Sequence, residues 1–167
     1  GWSFRRLGMT WFLMLFLAQA GVTPQIDRGE ALFTDATRGC ASCHALKGKG
    51  TAVGPDLKDI SRLSPKGIAM GIRSTVTQYV EIVKLKNGDS FPAMVPKDAS
   101  GQVHDLSKMP PEAKGTKADI ASTSSKNGWK HPPSQRKYTN EELADLIAYI
   151  RYAGANNRQS VSPDDVQ

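Results

Sequence analysis

The five residues Cys40-Ala41-Ser42-Cys43-His44 constrain this chain more than any other part of it. Two cysteines separated by two residues reach two carbons on the edge of one haem, and a histidine directly after the second lies beneath its iron. That spacing is a signature of covalent haem attachment. The chain has no other cysteine. A structural zinc site takes four ligands, and no second cysteine pair exists to complete one. A thioredoxin-like dithiol needs a βαβ setting, which the flanking residues do not predict. A simple disulfide would leave His44 without a role. The motif therefore implies one haem c bound through Cys40 and Cys43, with His44 as one axial ligand of its iron.

The rest of the composition sets the frame around that motif. A chain of 167 residues has room for one domain with a real core, plus tails. Charged residues at 23% and hydrophobic residues at 39% exclude both a disordered chain and a protein with many membrane spans. The formal charge is +6, yet the lysines are scattered rather than gathered on one helix with interleaved aromatics, which argues against nucleic acid as a partner. A basic surface suits acidic protein partners, because complementary charge speeds and orients encounter. At the start, Arg5 and Arg6 precede an apolar run from Leu7 to Leu17 and then Ala18-Gln19-Ala20, the pattern of an export signal over residues 1–20. The run is short for a membrane span, but Trp2 and Trp11 fit a retained anchor as the alternative.

Along the chain, Thr23-Pro24 reads as a cap and first turn, and the spacing predicts a helix from Pro24 to Thr37 that Gly39 ends. The segment from Ala45 to Leu57 is loop, and Ser64-Pro65 opens a short helix through Ile68, Met70 and Ile72, with Met70 expected in the core. From Tyr79 to Leu85 apolar and polar residues alternate, Asn87-Gly88 marks a turn, and Ser90 to Val95 returns, so a β-hairpin is predicted. Further short strands are expected at Gln102 to Leu106 and Ala118 to Ala121, followed by a polar loop from Ala121 to Gln135. Thr139 to Glu142 has the capping-box pattern, and Leu143, Leu146, Ile147 and Ile150 form one apolar face of a last helix that Gly154 stops. Residues 155–167 read as a frayed tail.

These features resemble the class I c-type cytochromes. The similarity covers most of residues 24 to 153: Gly29-x-x-x-Phe33, the cysteine motif, Gly54-Pro55-Asp56-Leu57, and the closing Glu142-Leu143-x-x-Leu146-Ile147-x-Tyr149-Ile150. The resemblance implies a mainly α domain over residues 21–154, with helices wrapped around one haem and the first and last helices crossing near Gly29 and Tyr149. It also implies that the Pro55 carbonyl binds the other ring nitrogen of His44. The departure is the stretch from about 79 to 121. Its short strands are similar to the β-strand inserts of haem modules associated with periplasmic dehydrogenases.

That family takes its sixth iron ligand from a Met-Pro pair shortly before the last helix. Here the place holds Trp129-Lys130-His131-Pro132-Pro133, so His131 is the leading candidate and bis-histidine ligation the expected pair. Met109, in Met109-Pro110-Pro111, is the alternative, and Met94 and His104 stand behind it. The implied activity is single-electron transfer between redox proteins in the periplasm or another extracytoplasmic space, not catalysis. The partner is expected to be a dehydrogenase, a reaction centre, an oxidase or another cytochrome, met through a face that includes Lys47, Lys49 and Lys58. Two rival readings stand beside it. One is a haem-bearing structural subunit of a membrane or extracellular electron-transfer complex, attached through residues 1–20. The other is a five-coordinate haem peroxidase or sensor in which His131 or His104 serves as a distal acid/base group.

Overall fold

A computed structural model describes residues 22–37, 40–74, 79–125, 129–132 and 137–167. The export segment expected over 1–20 lies outside them, as do Gly39 and parts of the 121–135 loop. Helix α1 spans Val22–Thr34 and so starts ahead of Thr23-Pro24, placing Pro24 in a first turn where a missing amide costs no helical bond. It stops three residues before the expected end because Asp35 turns its carboxylate onto the Thr37 amide (2.8 Å) and hydroxyl (2.6 Å), an alternative to continued helix. A single turn, α2, spans Cys40–Cys43. Short strands β1 (Ala45–Leu46) and β2 (Lys49–Gly50) then form a hairpin where only loop was expected. A 3-10 turn at Leu57–Ile60 leads to α3, Pro65–Arg73, whose cap Ser64 accepts from the Gly67 amide at 3.1 Å.

The last helix, α4, spans Asn140–Ala155. Its capping box is present, with the Thr139 hydroxyl accepting from the Glu142 amide and the Glu142 carboxylate accepting from the Thr139 amide, each at 3.1 Å. Seven of its residues are buried, Leu143, Ala144 and Leu146 to Ile150, because α1, α3 and the C-terminal segment all pack on it. Gly154 does not stop it. The helix runs one residue further and ends where Asn156 takes the left-handed conformation (φ 53°), its amide and that of Asn157 closing on Tyr152 and Arg151 carbonyls. Gly154 serves a different purpose: a Cβ there would run into Ser61, so its absence lets the 3-10 turn lie against the helix.

Two expectations are corrected by the packing. Met70 is 65% exposed, on the outer side of α3, while Ile68 and Ala69 are the residues that α3 buries. The segment after 155 is not frayed: Val161 and Val166 join the helical core, the Gln25 amide bridges the Val161 carbonyl (2.7 Å) and amide (3.0 Å), and Arg73 holds the Val166 carbonyl.

The fold class is also corrected. Of the described residues 40% are helical and 21% lie in strands, so the chain is not mainly α. Strands β3 (Glu81–Leu85) and β4 (Ser90–Ala93) form the expected hairpin, β5 (Gln102–Asp105) follows, and β6 (Glu112–Thr116) and β7 (Ile120–Ser125) complete the insert. The sheets run β4-β3-β7 and β5-β6, joined by the Leu106 amide bonding to the Pro92 carbonyl at 2.8 Å. Alternation in β3, β4 and β5 buries Val83, Leu85, Phe91, Ala93 and Val103 in a second core separate from the helical one. The insert is therefore a packed β unit rather than a decorated loop. It also extends past 121, because β7 takes residues expected to be loop. Among the described residues, no helix is long and apolar enough to cross a membrane.

Candidate functional site

The turn α2 places Cys40 and Cys43 three residues apart on one helical face, and the His44 amide extends it by bonding the Cys40 carbonyl at 2.9 Å. The β1–β2 hairpin then folds the chain back beneath the motif. Its tip, Lys47-Gly48, adopts positive φ at both residues (49° and 75°), as a two-residue hairpin requires. Residues 51–54 are strapped to the motif by the Thr51 amide on the Ala41 carbonyl and the Val53 and Gly54 amides on the Cys43 carbonyl. This strap brings Pro55 to His44: its carbonyl lies 2.6 Å from His44 Nδ1. A carbonyl only accepts, so Nδ1 carries the proton and Nε2 is left as the lone-pair nitrogen.

An apolar cavity of about 320 Å³ opens beside this assembly. Cys40, Cys43 and His44 line one side, Ile60, Gly71 and Ile72 come from the helical unit, and Val80, Met94 and Leu106 come from the β unit. Trp129, His131 and Pro132, just ahead of the last helix, complete the lining. The His44 and His131 rings sit with centroids 6.0 Å apart and planes at 65°. Burial pushes the His44 pKa down, against the Pro55 bond and the Asp56 charge. Burial and the neighbouring His44 bring His131 down to about 4. Both rings are thus held neutral at physiological pH, with nitrogen lone pairs available to a metal.

The cysteine pair is unlike a redox dithiol. The two thiols are not bonded to each other, and burial, followed by the charge of Cys40, pushes the Cys43 thiol up to about 11, whereas reactive dithiols have lowered pKa values. Among the described residues no cluster of three or more His, Cys, Asp or Glu side chains could hold a bare metal ion. An apolar slot flanked by two thiols and two neutral imidazoles fits a flat macrocycle carrying its own iron.

Not all the sequence candidates gather here. Met109 is 40% exposed, beside a cis bond to Pro110, and is not among the cavity's lining residues; neither is His104, half-buried on β5. Met94, ranked lower on sequence, does line it. Of the candidate docking lysines, Lys47 lies over the Tyr152 ring at 5.2 Å, Lys49 is paired with Glu30 on α1, and Lys58 is exposed. Sequence reasoning missed Val80, Leu106 and Trp129 as wall residues.

The family model for cytochrome c matches residues 26–154. The chain belongs to the cytochrome c family. No curated protein matches it. The cytochrome carries haem c, with iron, attached covalently at the Cys40-x-x-Cys43-His44 site, and it is a haem-binding electron-transfer protein. Its other residues shape that attachment. Gly54 has no room for a side chain, since a Cβ would lie 2.9 Å from His44 Cε1 and 3.1 Å from its Nδ1. Gly54→Ala is accordingly expected to push the imidazole off the Pro55 carbonyl and to cost about 1–3 kcal/mol of overpacking. The measurement is the haem-to-protein ratio of the purified variant against wild type. An unchanged ratio with an unchanged absorption spectrum would show that the ring has slack the packing denies.

Proposed function

We propose that this cytochrome is an exported single-electron carrier whose iron is held between His44 and His131. The observation that carries the reading is the pair of half-buried, neutral imidazoles, ring centroids 6.0 Å apart, that line one apolar cavity together with Cys40 and Cys43. Two imidazoles bound on opposite sides of one metal, with metal–nitrogen bonds of about 2 Å and about 1 Å from nitrogen to ring centre, have centroids about 6 Å apart. The 6.0 Å separation of the His44 and His131 ring centroids is close to that spacing, which supports the pair as ligands. When bound, the haem supplies one-electron chemistry between ferric and ferrous iron.

The protein's own groups then set the terms. Pro55 fixes the tautomer and orientation of His44. Ile72, Val80 and Leu106 give the cavity apolar walls that would keep water from a bound haem. Two imidazoles favour ferric iron more than an imidazole and a thioether do, which gives a low-potential carrier. With both axial positions filled, peroxide and oxygen have no open site, and carriage of electrons is favoured over catalysis. Export is supported by the Arg5-Arg6, Leu7–Leu17 and Ala18-Gln19-Ala20 pattern, and places the protein in the periplasm or a comparable compartment among redox protein partners.

Near-infrared magnetic circular dichroism of the purified ferric protein tests the axial pair. A low-spin bis-imidazole band is expected. A sulfur-ligated band would overturn His131 in favour of a methionine, and a high-spin spectrum would overturn the simple carrier.

A further inference from the structure

We propose that the Tyr138 hydroxyl donates a hydrogen bond to the Cys40 sulfur in the haem-bearing protein, making Tyr138 a positioning residue that tunes the haem's potential. The inference rests on attachment at Cys40 and is independent of which residue supplies the sixth ligand. Cys40 Sγ lies 3.7 Å from Tyr138 Oη, within hydrogen-bond reach for sulfur, and the pair is partly buried. Between a thiol and a phenol either atom can donate. Attachment removes that ambiguity: the S–H adds across a haem vinyl group, sulfur bonds one carbon and the hydrogen goes to the other, with no net oxidation or reduction. The thioether sulfur that results has no hydrogen and only accepts, so within this pair the phenol is the donor.

The surroundings hold this geometry. Cys40 is 7% exposed. Tyr138 packs against the helical core and directly precedes Thr139, the N-cap of α4, so it is anchored to the helix that crosses α1. An O–H aimed at the sulfur presents the positive end of its dipole to the macrocycle. That end stabilises the form holding the extra electron, so the bond raises the reduction potential.

The test is Tyr138→Phe in the holoprotein, a change that keeps the ring and its packing and removes only the hydroxyl. The expected result is a lower midpoint potential, a shifted carbon–sulfur stretching band in the resonance Raman spectrum, and an axial-ligand dichroism signal identical to wild type. A potential and a carbon–sulfur band both equal to wild type would overturn the proposal. Should the variant fail to carry haem, the wild-type holoprotein decides by itself. Transfer to deuterated water should shift the same band as O–H···S becomes O–D···S, and a band that does not move would overturn the proposal. Because the dichroism reads the axial pair separately, failure here and failure of the His131 reading give different spectra.

Discussion

His131→Ala is expected to convert the ferric protein from low-spin to predominantly high-spin, a large spectroscopic change from a single substitution. Removal of the imidazole leaves water, a weak-field ligand, as the candidate for the vacated axial position. His44 is unaffected, since the Pro55 carbonyl and Gly54 hold it from the other side. His131→Met extends the test, because thioether ligation should raise the midpoint potential relative to wild type. Electron paramagnetic resonance at low temperature and a redox titration read the two effects. A His131→Ala protein that stays low-spin would show that another side chain binds the iron, and Met94, which lines the cavity, would be the first to test.

Gly29→Ala should cause the largest loss of stability. Gly29 is buried where α1 crosses α4. A Cβ there would overlap the Asp145 carbonyl and lie 2.7 Å from Tyr149 Cβ. Neither neighbour can swing aside, since one is helix backbone and the other the first side-chain atom of a buried residue 3% exposed. Better helix propensity returns at most about 1 kcal/mol, whereas overpacking costs typically about 1–3 kcal/mol and more when backbone must move. The net loss is therefore about 2 kcal/mol or more, or roughly 4–8 °C in Tm for a chain of this size. The crossing is fastened on both flanks, by the Arg28–Asp145 ion pair at 2.8 Å and by the Phe33 and Tyr149 rings 5.6 Å apart, so separation of the helices would loosen both contacts. Thermal unfolding of the holoprotein measures the loss, and a Tm within 1–2 °C of wild type would mean that the helices can separate at little cost.

Several elements were legible because their signals are local. The capping box at Thr139, the proline start at Ser64-Pro65 and the turn at Asn87-Gly88 each depend on neighbours within a few positions, and each stands in the structure. Other elements escaped for equally physical reasons. Strand β6 has no buried residue, and β7, of which only the start was expected, is exposed along almost its whole length, so neither β6 nor the rest of β7 carries the period-2 apolar pattern that marks a strand. Backbone bonding to β5 and β3 holds them, and the pairing of β7 with β3 joins distant parts of the chain. This is why the chain reads as more helical than it is. The tail misled in the same way: Val161 and Val166 are single apolar residues in a polar stretch, buried because that stretch packs on the helical core and Gln25, from α1, and Arg73, from α3, bind its backbone.

Sequence by itself determined the chemistry at one edge of the haem. Two thiols and an imidazole within five residues have their relative positions set by a single helical turn, and Pro55 is close enough along the chain for a short strap to bring it to His44. What faces that edge was decided only in three dimensions. His131 and Met109 are both plausible as ligands from their neighbours in the chain, yet tertiary packing turns one into the cavity and leaves the other exposed. Val80, Met94 and Leu106 become wall residues because the β unit, with a core of its own, and the helical unit border the same cavity. Those placements rest on contacts between segments far apart along the chain, and such contacts leave no periodicity or short spacing in the sequence.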